Sequence, residues 1–386
     1  MGNRKGSMEV VGLMTAHKRL IEAYQGKTVL VTGHTGFKGS WLVLWLESLG
    51  AKVIGYSLDP PTDPSVFQAT GLSDRIIDIR GDIRDNDKIF KTLKKYRPEF
   101  IFHLAAQPLV RHSYKNPLET FNVNVIGTAN ILESIRLSQY PTTCVCITSD
   151  KCYENREWVY AYRENDPLGG YDPYSASKGA AEIVIASYRK SFFNSKKGNP
   201  AVSLSSARAG NIIGGGDWAE DRIVPDCIRA LVKGKPIQIR NPHAIRPWQF
   251  VLDPLSGYLW LALKMHERIG EYEDAWNFGP YHSNAVDVQT LTEKIVQEWG
   301  SGTWQVTPQK DNDLHEANYL QLDISKATTR LGWKPVYTID TGIQKTLGWY
   351  KNYYSQSIDM HKFSLEQIKE FMSAMENGDS ITRRIG

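Results

Sequence analysis

Cysteine is scarce, with 4 residues in 386, so a disulfide scaffold is excluded. Two of the four, Cys144 and Cys146, sit two apart in an apolar run and read as one face of a buried strand. That usage fits a reduced, cytoplasmic setting. No stretch approaches the roughly 20 apolar residues that span a bilayer. The polar N-terminus is followed by no apolar signal-peptide core, and Met-Gly-Asn-Arg-Lys-Gly lacks the Ser or Thr of a myristoylation signal. Charge of one sign is also lacking: 46 basic against 42 acidic residues leave +4, with no basic run. Neither nucleic acid nor a membrane surface is an expected partner. The 9 histidines are scattered with no His-x-x-x-His spacing, so no metal site is expected. There is no internal repeat and no low-complexity segment.

What is present is enough apolar material for a large core: hydrophobic residues are 41% and charged residues 23%. Residues 1–26 read as an N-terminal extension, part of it expected to be added sequence, with a short helix over Val10 to Tyr24. From Lys27 the chain alternates. Short apolar runs at Thr28–Thr32, Lys52–Ser57, Arg75–Ile79, Phe100–Leu104, Thr143–Thr148 and Val202–Arg208 read as strands. Helical patterns at Ser40–Ser48, Asp85–Tyr96, Leu118–Leu137 and Tyr174–Phe193 separate most of them. Strands alternating with helices predict an α/β fold, a Rossmann-type doubly wound parallel sheet over residues 27–210. After Gly210 the alternation degrades. Residues 211–386 are expected to form a smaller C-terminal substrate-binding lobe, with helices near Ile223–Lys233, Pro254–Glu267, Val288–Trp299 and Thr341–Tyr354 and some chain returning to the sheet.

The strongest local signal is Val31-Thr-Gly33-His-Thr-Gly36-Phe-Lys-Gly39, which follows a strand and opens a helix. Glycines there let backbone N–H groups approach a pyrophosphate, and the helix N-terminus adds positive potential. Lys38-Gly39 inverts the Gly-Lys that a P-loop needs. The second strand ends at Ser57, with Asp59 two residues beyond, so the ribose partner is Ser57 and NAD is favoured over NADP, to which Lys38 leaves an opening. Asp82 and Ile83 follow the third strand, and small Ala105 and Ala106 follow the fourth, where a cofactor can lie against the chain.

Tyr174-Ser-Ala-Ser-Lys178 puts a phenol and an ammonium on one helix face. A cation beside the phenol is expected to depress its pKa from about 10, giving a proton acceptor. Thr148-Ser149-Asp150-Lys151 stands at the carboxyl end of the fifth strand, where ligand crevices open. Taken singly, each cluster also fits a bland use: a solvated helix face for the first, a turn cap for the second.

Together these motifs resemble the extended short-chain dehydrogenase/reductases that act on nucleotide sugars. Ala105-Ala-Gln-Pro-Leu-Val-Arg111, Thr148-Ser-Asp-Lys-Cys-Tyr153, Arg208-Ala-Gly-Asn211 through Trp218, and Arg240 to Gln249 are most similar to the dehydratase branch that takes CDP-glucose. The resemblance implies NAD used catalytically, a nucleotide-sugar substrate and a homodimer. It implies cofactor contacts from Gly33, Thr35, Gly36, Phe37, Gly39, Ser57, Asp82, Ile83, Leu104, Ala105, Ala106 and Thr148, together with Tyr174 and Lys178. Ser149 and Tyr174 would hold the C4 hydroxyl, Asp150 would protonate the departing C6 hydroxyl, and Lys151 would be the C5 base. Relatives acting on dTDP-sugars carry Asp-Glu in place of Asp150-Lys151. Asn211 and Arg246 match diphosphate-binding positions, and Arg111 and Arg222 are further candidates. Glu316 follows His315 where the dTDP-sugar enzymes have His-Asp-Arg, a departure that counts against a dTDP substrate. An epimerase, a UDP-N-acetylhexosamine dehydratase and a non-catalytic dinucleotide sensor remain as alternatives.

Overall fold

The computed structural model describes residues 15–193, 202–282, 285–307 and 319–382. Its centre is a seven-stranded sheet of β1 (Thr28–Thr32), β2 (Lys52–Ser57), β3 (Ile77–Arg80), β4 (Phe100–His103), β5 (Thr142–Ile147), β6 (Val202–Arg208) and β7 (Ala275–Asn277). The spatial order is β7-β6-β5-β4-β1-β2-β3, and every neighbouring pair is parallel. The chain winds outward from β1 in one direction and then from β4 in the other. Between β1 and β4 lies the switch point where such sheets hold ligands.

Side chains alternate across the sheet as strand geometry requires. Val29, Val31, Phe100, Phe102, Val145 and Ala207 enter one core, while Leu30, Ile54, Ile101, Cys144, Cys146 and Leu204 enter the other. The two cysteines share a face as expected, with sulfurs 3.9 Å apart. Helix Phe37–Ser48 is buried from Gly39 to Leu46, which explains why its sequence is apolar on most sides. Each fully buried Leu or Val there contributes about 1.5–3 kcal/mol.

This side of the sheet is completed by segments that the sequence pattern did not tie to it. Residues 16–24, set apart by sequence within an extension, form a helix whose Leu20 and Tyr24 are fully buried, and the Tyr24 hydroxyl donates to Leu259 O at 2.8 Å. A C-terminal helix, Met360–Thr382, sets Phe371 against Trp45 at 5.6 Å between ring centroids. The four helices expected after Gly210 are present at Ile223–Val232, Leu252–Glu267, Val288–Trp299 and Ile339–Ser355. Three two-stranded pieces join them: Ile212–Ile213 with Gln249–Phe250, Ile245–Arg246 with Val286–Asp287, and Ile237–Ile239 with Trp304–Val306. The first core runs unbroken from Val29 to Trp349, so the two halves of the chain pack on shared apolar residues.

Candidate active site

The glycine turn leaves β1 with Gly33 at φ +73°, in the left-handed region that favours glycine. A Cβ on Gly33 would lie 2.7 Å from Ala105 N, and one on Gly39 would lie 2.0 Å from Gly33 O. The turn therefore closes only with glycine at both places. Gly36 begins the 12-residue helix with no side-chain cap and no acid in the first turn, so its N–H groups remain for an anion. Thr35 Oγ1 meets Ser57 Oγ at 2.9 Å and donates to Leu58 O at 3.0 Å, tying the ends of β1 and β2. Asp82 is clasped by Arg84, whose Nη2 lies 2.6 Å from Oδ2, and this hydrogen bonding holds the carboxyl below its usual range. Ile83 packs against Gly127, and Ala105 N donates to Thr32 Oγ1 at 3.2 Å. Gly33, Thr35, Gly36, Phe37, Gly39, Ser57, Asp82, Ile83, Leu104, Ala105 and Ala106 thus line the carboxyl ends of β1 to β4. The tight glycine cradle and bare helix terminus fit a dinucleotide.

Beside this cradle, β5 ends in Ser149, Asp150 and Lys151, facing helix Pro173–Ser191. The helix starts on Asp172, whose carboxylate accepts from Ser175 N at 3.0 Å, and this places Tyr174 in its first turn and Lys178 one turn on. Ser149 Oγ donates to Asp150 Oδ1 at 2.9 Å. The Ser149 hydroxyl is close enough to the Tyr174 phenol to draw its pKa down. Asp150 Oδ2 is buried without a partner, and a Cβ on Gly210 would fall 1.9 Å from it. Among the described residues no cation comes within ion-pair distance of Asp150, so the half-buried Lys151 is its chain neighbour and not its salt-bridge partner.

One sequence expectation is overturned. Burial pushes Tyr174 up to about 12, with Ser149 pulling down and the Asp150 charge pushing up. The cation expected to depress the phenol sits 5.9 Å from its ring centroid and is itself pushed down to about 8 by burial. Lys38 joins this group: burial, then the charges of Lys178 and Arg222, bring it down to about 7. Its nearness to Lys178, Arg222 and Asp150 marks it as a site residue that sequence reasoning considered only for cofactor choice.

A buried polar network underlies the cluster. Glu182, one turn beyond Lys178, accepts from Thr148 Oγ1 at 2.5 Å, Ser206 Oγ at 2.7 Å and Arg208 Nη2 at 2.8 Å. The Thr148 hydroxyl, expected to face the cofactor, is thereby committed to Glu182. Arg208 Nη1 reaches Tyr153 Oη at 2.7 Å, and Tyr153 donates to Asn277 Oδ1 at 2.7 Å. Asn124 supports the helix from the other side, donating to Ser177 Oγ at 2.8 Å and Gln107 O at 3.1 Å from within a π-helical turn, Asn122–Ile126. Glu182 was legible in principle, being four residues past Lys178 on one face. Asn124 gave no such signal.

On the substrate side, Arg222 pairs with Asp217 at 2.8 Å, which raises its guanidinium, and its charge reaches Tyr174 and Lys38. Arg111 lies 3.7 Å and Arg240 3.3 Å from Asp221. Asn211 takes φ +50°, and its carbonyl accepts from Gln249 N at 3.1 Å. Gln249 Nε2 donates to Gly210 O at 3.0 Å, which ties the Arg246 segment to Asn211 and the wall of Asp150. His315 and Glu316 lie outside the described residues. Among the described residues no group of three or more His, Cys, Asp or Glu could hold a metal ion.

The GDP-mannose 4,6 dehydratase family model matches residues 30–346, most of the chain. The chain belongs to this family. It is 48% identical over 353 residues, 91% of this chain and 98% of the relative, to CDP-glucose 4,6-dehydratase of Salmonella typhimurium. Identity to dTDP-glucose 4,6-dehydratase of Xanthomonas campestris is 27% over 343 residues, 84% of this chain and 93% of that protein. Among solved structures, dTDP-glucose 4,6-dehydratase from Bacillus anthracis in complex with NAD aligns with TM-score 0.70 at 22% identity, covering 85% of this chain and 97% of that one. UDP-glucose 4-epimerase from Thermotoga maritima also aligns with TM-score 0.70, at 21% identity, covering 85% of this chain and 99% of that one. At such identities these structures speak to the fold alone, which they share with the doubly wound sheet expected from sequence.

Proposed function

We propose that this protein is an NAD-dependent hydro-lyase that converts CDP-glucose to its 4-keto-6-deoxy derivative, a step of deoxysugar and O-antigen biosynthesis. The observation that carries the reading is the carboxylate of Asp150, buried, unpartnered at Oδ2 and joined through Ser149 to Tyr174. A redox site alone needs only the phenol and the ammonium. An acid built against it is what elimination of water requires. The 48% identity to an enzyme named for CDP-glucose supports that substrate.

In this reading Gly33, Thr35, Gly36, Phe37, Gly39, Ser57, Asp82, Ile83, Leu104, Ala105 and Ala106 hold NAD, and the Gly36 helix terminus meets its pyrophosphate. Bound NAD supplies a reversible acceptor for the two electrons of the C4–H bond and a positive charge that favours phenolate at Tyr174. Tyr174 takes the C4 hydroxyl proton, Ser149 orients that hydroxyl, and Lys178 adds local positive potential. Lys151 removes the C5 proton, acidified by the C4 ketone, and Asp150 protonates the C6 oxygen as it leaves. Arg222, Arg111, Asn211 and Arg246 hold the diphosphate, Arg222 with its direction fixed by Asp217. Exposed Leu118, Ile126 and Ile183 on adjacent helices support pairing as a homodimer. No described helix is long and apolar enough to cross a membrane. The four free, buried cysteines support a reducing compartment, and we assign the protein to the cytoplasm.

Incubation with CDP-glucose and catalytic NAD, read by the alkaline absorbance of a 4-keto sugar, tests the function. Substrate deuterated at C4 is expected to give product deuterated at C6 of the same molecule. Stoichiometric build-up of NADH, or a C4 epimer as product, would refute it.

A further inference from the structure

We propose that Tyr174, Ser149 and Asp150 form one proton wire, through which the proton taken from the C4 hydroxyl leaves with the C6 oxygen as water. The inference rests on the dehydratase reading and adds the route by which its acid is charged.

The geometry is directional. The Ser149 O–H is already committed to Asp150 Oδ1 at 2.9 Å, which leaves its lone pairs for the neighbouring Tyr174 phenol, whose pKa it draws down. Asp150 Oδ2 has no partner and is held against the Gly210 backbone, where no side chain can intrude. The bond from Ser149 makes Oδ1 the receiving oxygen of the carboxylate. Ser149 Oγ also accepts from Lys151 N at 3.2 Å, which fixes the hydroxyl over the turn Asp150–Cys152.

The steps balance. The C4 O–H bond breaks and its proton goes to the Tyr174 phenolate, while the two electrons of the C4–H bond go to bound NAD. Lys151 takes the C5 proton. As the C6–O bond breaks, a proton passes from Tyr174 to Ser149, from Ser149 to Asp150 and from Asp150 to the departing oxygen. The electron pair returns to C6 and Lys151 returns its proton to C5, so the enzyme ends as it began and one water has formed. The net transfer is downhill: with its phenol pushed up to about 12, Tyr174 is still a stronger acid than water, whose pKa is about 15.7. Asp150 holds the proton only in passing, so a lysine beside it in sequence does not prevent it from acting as the acid.

Single-turnover kinetics on Ser149→Ala and Ser149→Thr, with CDP-glucose carrying ¹⁸O at C6, decide the matter. Oxidation is followed by bound NADH absorbance, elimination by loss of the label, and binding by calorimetry with CDP-glucose. In the wild type, elimination is expected to be independent of pH across neutrality, because its proton is internal. In Ser149→Ala, binding should persist, and elimination should slow on the order of 10²-fold more than oxidation. It should also lose its flat pH profile, since the proton must then come from solvent. Ser149→Thr should restore both the rate and the flat profile. Equal slowing of the two steps in Ser149→Ala, or a flat elimination profile, overturns the wire while leaving the function intact. A wild-type protein that makes no 4-keto sugar from CDP-glucose removes the dehydratase reading, and the wire with it.

Discussion

Gly210→Ala places the structural argument under direct strain. An ideal Cβ at this position falls 1.9 Å from Asp150 Oδ2, 2.1 Å from Cγ and 2.3 Å from Oδ1. Ordinary non-bonded contacts begin near about 3.5 Å, so the carboxylate must move by roughly 1.5 Å. That movement breaks the 2.9 Å bond from Ser149, because β5 and β6 are locked in parallel register beneath both residues. Overpacking of this kind costs about 1–3 kcal/mol of stability. Misplacing a reacting group by about 1 Å costs on the order of 10²-fold in rate, and here the loss should fall on elimination. The control is Gly348→Ala in helix Ile339–Ser355, where no atom lies within 4 Å of the new methyl. It should gain about 0.5–1 kcal/mol from helix propensity and keep full activity. Thermal unfolding and single-turnover kinetics with labelled CDP-glucose measure both. A Gly210→Ala enzyme that eliminates at the wild-type rate would show that Asp150 is not held where the chemistry occurs.

Three further outcomes are expected. Lys151→Ala should bind nucleotide sugar and still oxidise C4, but exchange of the C5 hydrogen with D₂O should slow along with turnover; exchange at the wild-type rate would move the base elsewhere. Tyr174→Phe should lose about 10²–10⁴-fold in turnover with an unchanged melting temperature, and near-normal turnover would displace the phenol from its role. Asp253→Asn should raise stability at pH 8 more than at pH 5. Burial pushes Asp253 up to about 7, so the native state holds the proton more tightly than the unfolded chain, and stability declines as pH rises from about 4 through about 7. Asparagine removes that decline, worth at most about 4 kcal/mol, while its Oδ1 still accepts from Val336 N. Unfolding curves with the same pH dependence in both proteins would contradict the assignment.

The strands legible in the sequence were those buried on both faces. Lys52–Ser57 and Val202–Arg208 match residue for residue, because a central parallel strand is an unbroken apolar or small-residue run. The edge strand shifted from the expected Arg75–Ile79 to Ile77–Arg80, where half-exposed residues leave a weak pattern. The helix expected over Leu118–Leu137 is broken by the π turn at Asn122–Ile126, whose reason is the side chain of Asn124 reaching Gln107 and Ser177. No periodicity encodes that contact. β7 is three residues long, and the helices at Ala16–Tyr24 and Met360–Thr382 find their places only against a helix distant in sequence. Motif spacing brought the glycine turn, Ser149, Tyr174 and Lys178 together correctly. It gave the wrong sign for the phenol because spacing reports which charges are near and says nothing of how dry the site is.

That dryness also explains why the site has a polar foundation. Glu182 and Arg208 are both nearly inaccessible, and an ion pair so placed needs further hydrogen bonds to offset the loss of water. Glu182 is matched by Thr148 and Ser206, and Arg208 by Tyr153 and the Glu164 carbonyl at 3.0 Å. The partners come from the ends of β5 and β6, from the loop after β5, and through Asn277 from β7. The pair therefore pins the Tyr174 helix to three strands at the level where Ser149 and Asp150 emerge. A hydrogen-bonded line from phenol to carboxylate needs its two ends fixed to within a few tenths of an ångström, and they stand on different elements, a helix and a strand end. An apolar base would let those elements slide against each other. A charge pair held by hydrogen bonds from four other residues has few alternative geometries, and this one lies one helical turn beyond Lys178.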